Sequence, residues 1–303
     1  HMKKIFLLVL FCYSTTFVVA QQDAQFSQNM FNKLANNPAY AGSNQAISLI
    51  GLFRSQWTGF EGAPKTTNIS GHLPVSALNG GLGLSIISDE IAQFENTSVS
   101  LSYAYRTQVG SGQLGLGLNL GIIQSGLDGS LLNPASGGDV AIPNESISGS
   151  ALDLGFGVYF NTQDAYFGLS TSHVNNPSIE RSDNTSYELS QHYFLITGLY
   201  HQISSTLSLN PSIYLKSDGT TSQLDINTNL IYNDKLWGGL SYRLDEGLVI
   251  LTGAEIIEDL KMGIAYDLVF SDINKNSIEI MLGYDFKIKV ENQLKKYKNP
   301  RFL

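Results

Sequence analysis

The segment Gln113–Gln124, QLGLGLNLGIIQ, narrows what the chain can fold into more than any other stretch. Leu114, Leu116, Leu118, Leu120 and Ile122 recur every second residue, and Gly115, Gly117, Asn119 and Gly121 stand between them. A period of two is the period of a β-strand, so the two sets point to opposite faces of a sheet. A strand of a soluble sandwich buries its apolar face and shows charged or large polar side chains to water. Here the second face is small and weakly polar, as the inside of a narrow barrel requires, and the leucine face is left to meet lipid.

The same alternation returns along the chain. Leu82, Leu84 and Ile86 oppose Gly81, Gly83 and Ser85, and Val99, Leu101, Tyr103 and Tyr105 oppose Ser98, Ser100, Ser102 and Ala104. Leu152, Leu154, Phe156 and Val158 oppose Asp153, Gly155 and Gly157. Leu224, Ile226 and Leu230 oppose Asp225, Asn227 and Asn229, and Met262, Ile264, Tyr266 and Leu268 oppose Gly263, Ala265 and Asp267. Ile278, Ile280, Leu282, Tyr284 and Phe286 oppose Glu279, Gly283 and Asp285. An Asp facing lipid is costly, so this second face is assigned to the lumen. Leu118→Arg is accordingly expected to be damaging and Gly117→Ser cheap.

About 14 such strands can be placed, beginning near Gln45, Thr66, Gly80, Phe94, Gln113, Gly149, Asp164, Tyr187, Thr206, Thr221, Lys235, Gly247, Asp259 and Ser277. Bacterial single-chain barrels have an even number of strands. Links after even-numbered strands are short, as at Asn161-Thr162, Ser204-Ser205 and Asn233-Asp234. The long links, Arg54–Lys65, Ser125–Ser148 and Ser172–Ser186, all follow odd-numbered strands. Short periplasmic turns and longer outside loops give a barrel this parity. The predicted fold class is therefore all-β: a transmembrane antiparallel β-barrel in the outer membrane, with both termini periplasmic.

Composition supports that assignment. Charged residues make up 15% of the chain, with 29 glycines, 15 tyrosines and 15 phenylalanines among 303 residues. Low charge with abundant glycine and aromatics suits an apolar outer band with aromatic girdles. Residues 1–20 read as a signal peptide, with Lys3-Lys4 before an apolar run and Val18-Val19-Ala20 at the cleavage site; His1 ahead of Met2 reads as a cloning remnant. Removing them takes away the single cysteine, Cys12, and leaves 16 basic against 26 acidic residues. A balance of −10 argues against a nucleic-acid partner.

One early segment departs from the strand pattern. In Gln25–Gly42, QFSQNMFNKLANNPAYAG, the residues Phe26, Met30, Phe31 and Leu34 fall on one stripe of a helix, and Asn37-Pro38 ends it. Residues 21–44 are predicted to be a short helical plug inside or against the barrel, with Asn37, Pro38 and Tyr40 closing it. Residues 45–289 form the barrel, and 290–303 a basic periplasmic extension.

The sequences FSQNMFNKLANNPAYAG and QWTGFEGAPKTT resemble the opening of the PorP/SprF proteins of the type IX secretion system of Bacteroidetes. LLNPASGGD at Leu131–Asp139, IEIMLGYDF at Ile278–Phe286 and the closing NPRFL agree with this, so the resemblance spans the mature chain. It implies an outer-membrane component that helps secreted substrates reach and stay on the cell surface. Some members of that family serve one substrate, often one with a long C-terminal signal such as a gliding adhesin, and another belongs to the core machinery. The implied partners are a secreted type IX substrate, through its C-terminal signal domain, machinery on the periplasmic side, and outer-membrane lipid.

Trp57, Phe60, Glu61 and Pro64 on the first long link, and Asn133, Pro134 and Asp139 on the longest, are the candidate partner-binding residues. Exposed aromatics on a barrel loop can equally join an interfacial girdle. Pro300, Arg301 and Phe302 are a candidate contact on the periplasmic side, the alternative being a solvated tail. No catalytic, cofactor or metal set is assigned: Asp128 and Asp139 lack metal-site spacing, and Ser70 with His72 is a pair that chance explains. The alternative functions are a diffusion channel for small solutes and, more remotely, an outer-membrane lipid hydrolase.

Overall fold

A computed structural model describes residues 23–131, 145–183, 185–270 and 275–287. In chain order its strands are β1 (Ala46–Ser55), β2 (Lys65–Val75), β3 (Gly80–Ile91), β4 (Phe94–Val109), β5 (Gly112–Asp128), β6 (Ser146–Asn161), β7 (Ala165–Ser172), β8 (Ser178–Glu180) and β9 (Ser186–Glu188). They continue as β10 (His192–Leu199), β11 (His201–Gln202), β12 (Leu207–Ser217), β13 (Ser222–Tyr232), β14 (Leu236–Arg243), β15 (Gly247–Ile257), β16 (Leu260–Val269) and β17 (Ser277–Lys287). Each barrel strand pairs antiparallel with its neighbours, and β1 closes the sheet on β17, from Ala46 opposite Lys287 to Ser55 opposite Ile278. With β11 continuing β10, and β8 and β9 forming a separate hairpin, the closed sheet has 14 strands, as expected. Closure removes the unpaired edges that an open sheet would present to lipid. Among the described residues no helix is long and apolar enough to cross a membrane.

The side-chain faces follow the alternation. Leu118, Leu120, Ile122 and Leu152 stand on the outside, each more than half exposed, while Ser102, Gly117, Gly121 and Asp153 turn inward. Strand length is not uniform. β4, β5 and β6 have 16, 17 and 16 residues, whereas β7, β10 and β14 have 8. A span of the hydrocarbon layer needs about 9–11 tilted residues, so β4–β6 project beyond it. The eighth barrel strand begins at His192, not near Tyr187. Tyr187 belongs to the β8–β9 hairpin, whose Ile179 is fully buried and whose Arg181 guanidinium donates to Ser125 Oγ at 2.9 Å. Three residues paired to three are enough to imitate the start of a longer strand.

The N-terminal segment lies within the lumen, and it is not an α-helix. Residues 27–31 and 34–36 are turns, and Pro38–Tyr40 is one turn of 3-10 helix. The reason is visible in the hydrogen bonds. The amides of Ser27 and Gln28 donate to the Glu279 carboxylate at 2.7 and 2.8 Å. A wall carboxylate thus takes the part that an N-cap would have played. Asn37 caps the short 3-10 turn through its own side chain, which accepts from the Ala39 amide at 2.9 Å.

The direction of this segment follows from its partners at each end. Asp23 meets Ser172 and His192, which sit where β7 and β10 open into the long link 173–191. Gly42 meets His72, Pro74 and Gly81, beside the short link 76–79. The segment therefore runs the length of the lumen, from the long-link end to the short-link end, before β1 turns back. Asp23 and Lys287 lie at opposite ends of the barrel, and the termini themselves lie outside the described residues.

Candidate functional site

The lumen is where polar chemistry collects. Arg54 near the end of β1 reaches Asp267 at 2.7 Å and Glu279 at 3.5 Å, and all three are buried. Arg243 on β14 pairs with Asp225 at 3.1 Å and shares Asp267 at 3.0 Å. The Ser27 hydroxyl stands among these charges: it donates to Asp267 at 2.8 Å and accepts from Arg54 at 2.6 Å. Buried charges persist when each is paired and its remaining hydrogen-bonding positions are filled. Here two guanidinium forks supply that geometry to three carboxylates. Against this network packs an apolar cluster in which Phe26 and Met30 meet Leu52, Trp237, Val249, Leu251 and Met281. Phe31 lies beside the Trp237 ring, centroids 5.3 Å apart.

Farther along, the segment touches the wall with its backbone. The Asn36 carbonyl accepts from the Ser170 hydroxyl at 2.5 Å, and beside it the Asn37 side-chain Nδ2 donates to the carbonyls of Val158 and Leu169, at 3.0 and 3.3 Å. Pro38 and Ala39 lie against Gly117 so closely that a Cβ added there would overlap the Ala39 backbone nitrogen, with Ala39 Cα at 2.5 Å. The expectation that Gly117→Ser is cheap is therefore overturned: Gly117 faces the lumen, but the lumen is occupied. Leu34 packs with Ala41 and Ala104, and Tyr40 meets Tyr159 and His72 edge-on. The buried Lys33 ammonium donates to the Met30 carbonyl at 2.9 Å and lies 4.4 Å from the centre of the Tyr166 ring.

Two cavities remain around the segment. One, of about 220 Å³, lies toward the long-link end and is lined by Asp23, Leu34, Ser100, Asn119, Asp153 and Phe194. The other, of about 280 Å³, is lined by Met30, Lys33, Ser48, His72, Asn229 and Asp285. Leu34 forms part of both, so it stands between them.

At the long-link end, His173 bridges two carboxylates, Asp23 on Nε2 and Asp153 on Nδ1, both at 2.8 Å. Burial works against the His173 charge, but the two carboxylates outweigh it and the imidazole is pushed up to about 10. Burial likewise works against ionised Asp23, and His173 outweighs it and holds that carboxyl below the usual range.

The candidate residues of the loops are placed differently from one another. Phe60 and Glu61 are exposed, Trp57 is half-buried and Pro64 is buried. Trp57 has φ +45° and its amide donates to Ser277 Oγ at 3.2 Å, while the Thr58 amide donates to the Asn276 carbonyl at 2.9 Å, which ties this link to the neighbouring one. Asn133, Pro134, Asp139, Pro300, Arg301 and Phe302 lie outside the described residues. Ser70 and His72 each meet the lumen segment. The Ser70 hydroxyl donates to Asn32 at 3.1 Å and His72 Nδ1 accepts from the Gly42 amide at 3.3 Å, so both hold the lumen segment.

The sequence reading did not single out Asp23, Ser27, Arg54, His173, His192 or Arg243. The available signal was parity: Arg54 shares the lumenal face of β1 with Ala46, Ser48 and Leu52, and Arg243 that of β14 with Trp237, Gly239 and Ser241.

Residues 18–284 match the family described as type IX secretion system membrane protein PorP/SprF. Among solved structures, the CymD monoaromatic hydrocarbon channel is similar, with 12% identity and a TM-score of 0.53, over 88% of this chain and 94% of that one. A TodX mutant monoaromatic hydrocarbon channel is similar at 13% identity and a TM-score of 0.50, over 84% of this chain and 94% of that one. At such identities the likeness is one of fold. No curated protein sequence matches.

Proposed function

The chain belongs to the PorP/SprF family of type IX secretion system membrane proteins, and from that premise we propose that it binds a secreted substrate at its long-link end and holds it at the cell surface. An outer-membrane barrel with a role in type IX secretion is the common ground of the family. The finer reading rests on one observation: residues 23–44 occupy the lumen and are tied to its wall by Arg54, Asp267, Glu279, His173 and Ser170. A barrel so occupied offers its loops for binding better than its interior for transport. The long links, taken as the outside, carry Phe60, Glu61 and Trp57, and aromatic residues are favoured anchors of protein interfaces. The substrate's C-terminal signal domain is the expected partner. Asn133, Pro134 and Asp139 are proposed to extend the same surface, and Pro300, Arg301 and Phe302 to meet machinery on the periplasmic side.

Purification of the full chain from cells that secrete type IX substrates tests this. A large surface protein should co-purify, and the purified barrel in a planar bilayer should pass no steady current. Trp57→Ala with Phe60→Ala should leave a heat-resistant folded barrel yet cost about 2–4 kcal/mol of partner affinity, the range of interface hot spots. The partner would then appear in the medium. Steady open-pore current in the wild type, with every surface protein retained in the double variant, would favour the diffusion channel instead. Labels at Gly129 and Ser182 should react in intact cells and a label at Asn161 should not; the reverse would invert the barrel.

A further inference from the structure

The cluster at Asp23 has the composition and orientation of a metal site. Asp23, His173 and His192 each offer one ligand atom, and these atoms lie within 4.8 Å of one another. The tautomer of each histidine follows from its other nitrogen. His192 Nδ1 faces the Ser190 carbonyl at 3.0 Å and must donate to it, which leaves Nε2 with a lone pair. His173 Nδ1 lies 2.8 Å from the Asp153 carboxylate, which leaves its Nε2 for Asp23 at 2.8 Å. A metal-bound histidine usually donates its far nitrogen to a carbonyl or a carboxylate in this way, which fixes the ring and raises its basicity. Both histidines are buried and nearly perpendicular, with ring centres 5.7 Å apart. The cavity of about 220 Å³ opens beside them, with room for a water as a fourth ligand.

We propose that Asp23, His173 and His192 bind one first-row divalent cation of the zinc class and thereby fasten the lumen segment to the link that follows β7. Two imidazoles and one carboxylate suit a borderline cation such as Zn²⁺ or Co²⁺ better than Ca²⁺ or Mg²⁺, which prefer oxygen. Bonds of about 2.0–2.2 Å put tetrahedral ligand atoms about 3.4 Å apart, so the carboxylate must open slightly from His173 and the third ligand must close. The cation replaces the proton shared between His173 Nε2 and Asp23 at 2.8 Å, together with weaker contacts. The Asp23 amide donates to His192 Nε2 at 3.2 Å, and the Ser172 hydroxyl holds the second Asp23 oxygen at 2.9 Å without blocking the first. The Lys216 ammonium donates to the Asp23 carbonyl at 2.8 Å and faces the site, and the carboxylates of Asp23 and Asp153 outnumber it.

The experiment uses the full chain in detergent, stripped with a chelator at neutral pH and titrated with Zn²⁺ or Co²⁺ alone. The wild type should take up one equivalent of Zn²⁺, and Co²⁺ should give the intense visible absorption of a four-coordinate site. Asp153→Asn should weaken uptake about 10–100-fold, the usual effect of losing a partner behind a ligand. The Asp23→Asn, His192→Gln double variant should take up none while keeping the heat-resistant gel mobility of a folded barrel. If that variant fails to fold, Asp153→Asn decides on its own: the weakening supports the site, and unchanged affinity overturns it. A wild type without a bound equivalent, as a proton-only Asp–His–Asp clamp requires, overturns the proposal. So does uptake by a folded double variant equal to that of the wild type.

Discussion

At Ser27 the barrel wall reaches inward with Arg54, Asp267, Arg243 and Glu279, whereas at residues 37–39 the wall beneath the segment is Gly117 and Gly157, with Arg106 and Tyr159 to the side. The first region holds the segment by charge, at the tips of long side chains. The second holds it by contact of backbone with strand. The difference shows that the lumenal face is fitted to what lies against it, position by position. A wall of glycine alone is only half of the barrel, and its emptiness is a cast of the occupying segment.

The charged region should be the more fragile. Arg54→Ala removes the guanidinium that meets Asp267 and Glu279, and removing one partner of a buried pair costs about 3–5 kcal/mol. Arg243 still reaches Asp267, and the amides of Ser27 and Gln28 still reach Glu279, so the loss should fall toward the lower end. Urea titration of the folded barrel in lipid measures it. A cost under about 1 kcal/mol would mean that the charges merely line a wet lumen and do not hold the segment, because exposed pairs contribute that little.

The outside of β5 calibrates the inside. Leu118 is 61% exposed on the outer face, next to Gly117, and Leu118→Arg should cost about 2–4 kcal/mol if its face meets the bilayer midplane. Gly117→Ala one position away should cost about 1–3 kcal/mol, the range for overpacking, because the new methyl meets the Pro38–Ala39 backbone, which cannot turn aside as a side chain can. If Gly117→Ala proves neutral in the same titration, the segment does not rest against β5 as described.

The alternation that fixed the strands says which face a residue occupies and nothing about what fills the space in front of it. That is why Gly117 could be assigned to the lumen yet misjudged for tolerance. The stripe of Phe26, Met30, Phe31 and Leu34 marked an apolar segment, and three of the four are buried, but its backbone partners come from Glu279, more than 240 residues away. No local pattern carries that. The charges on the lumenal face were legible one by one, as Asp225, Asp267 and Glu279. Their convergence with Arg54 and Arg243 needs the register of five strands, which a strand end misplaced by a few residues, as at Tyr187 and His192, would scramble.

The smallest effect is the sharpest check on the contrast. Gly83 also faces the segment, but a methyl added there would meet the tip of the Leu34 side chain, 2.9 and 3.2 Å from its two methyl carbons, and the Ala41 Cβ at 3.4 Å. A leucine tip can rotate where the peptide at Ala39 cannot. Alanine also loses less conformational freedom on folding than glycine does, by roughly 0.5–1 kcal/mol within a strand. The clash and the gain are of similar size, so Gly83→Ala should leave stability within about 1 kcal/mol of the wild type, clearly less than the cost at Gly117. The two variants differ by the same single methyl on the same lumenal face, so propensity and face cancel between them and only the neighbour remains. Equal losses at the two positions would show that the glycines serve the curvature of the wall and not the close approach of residues 38–39.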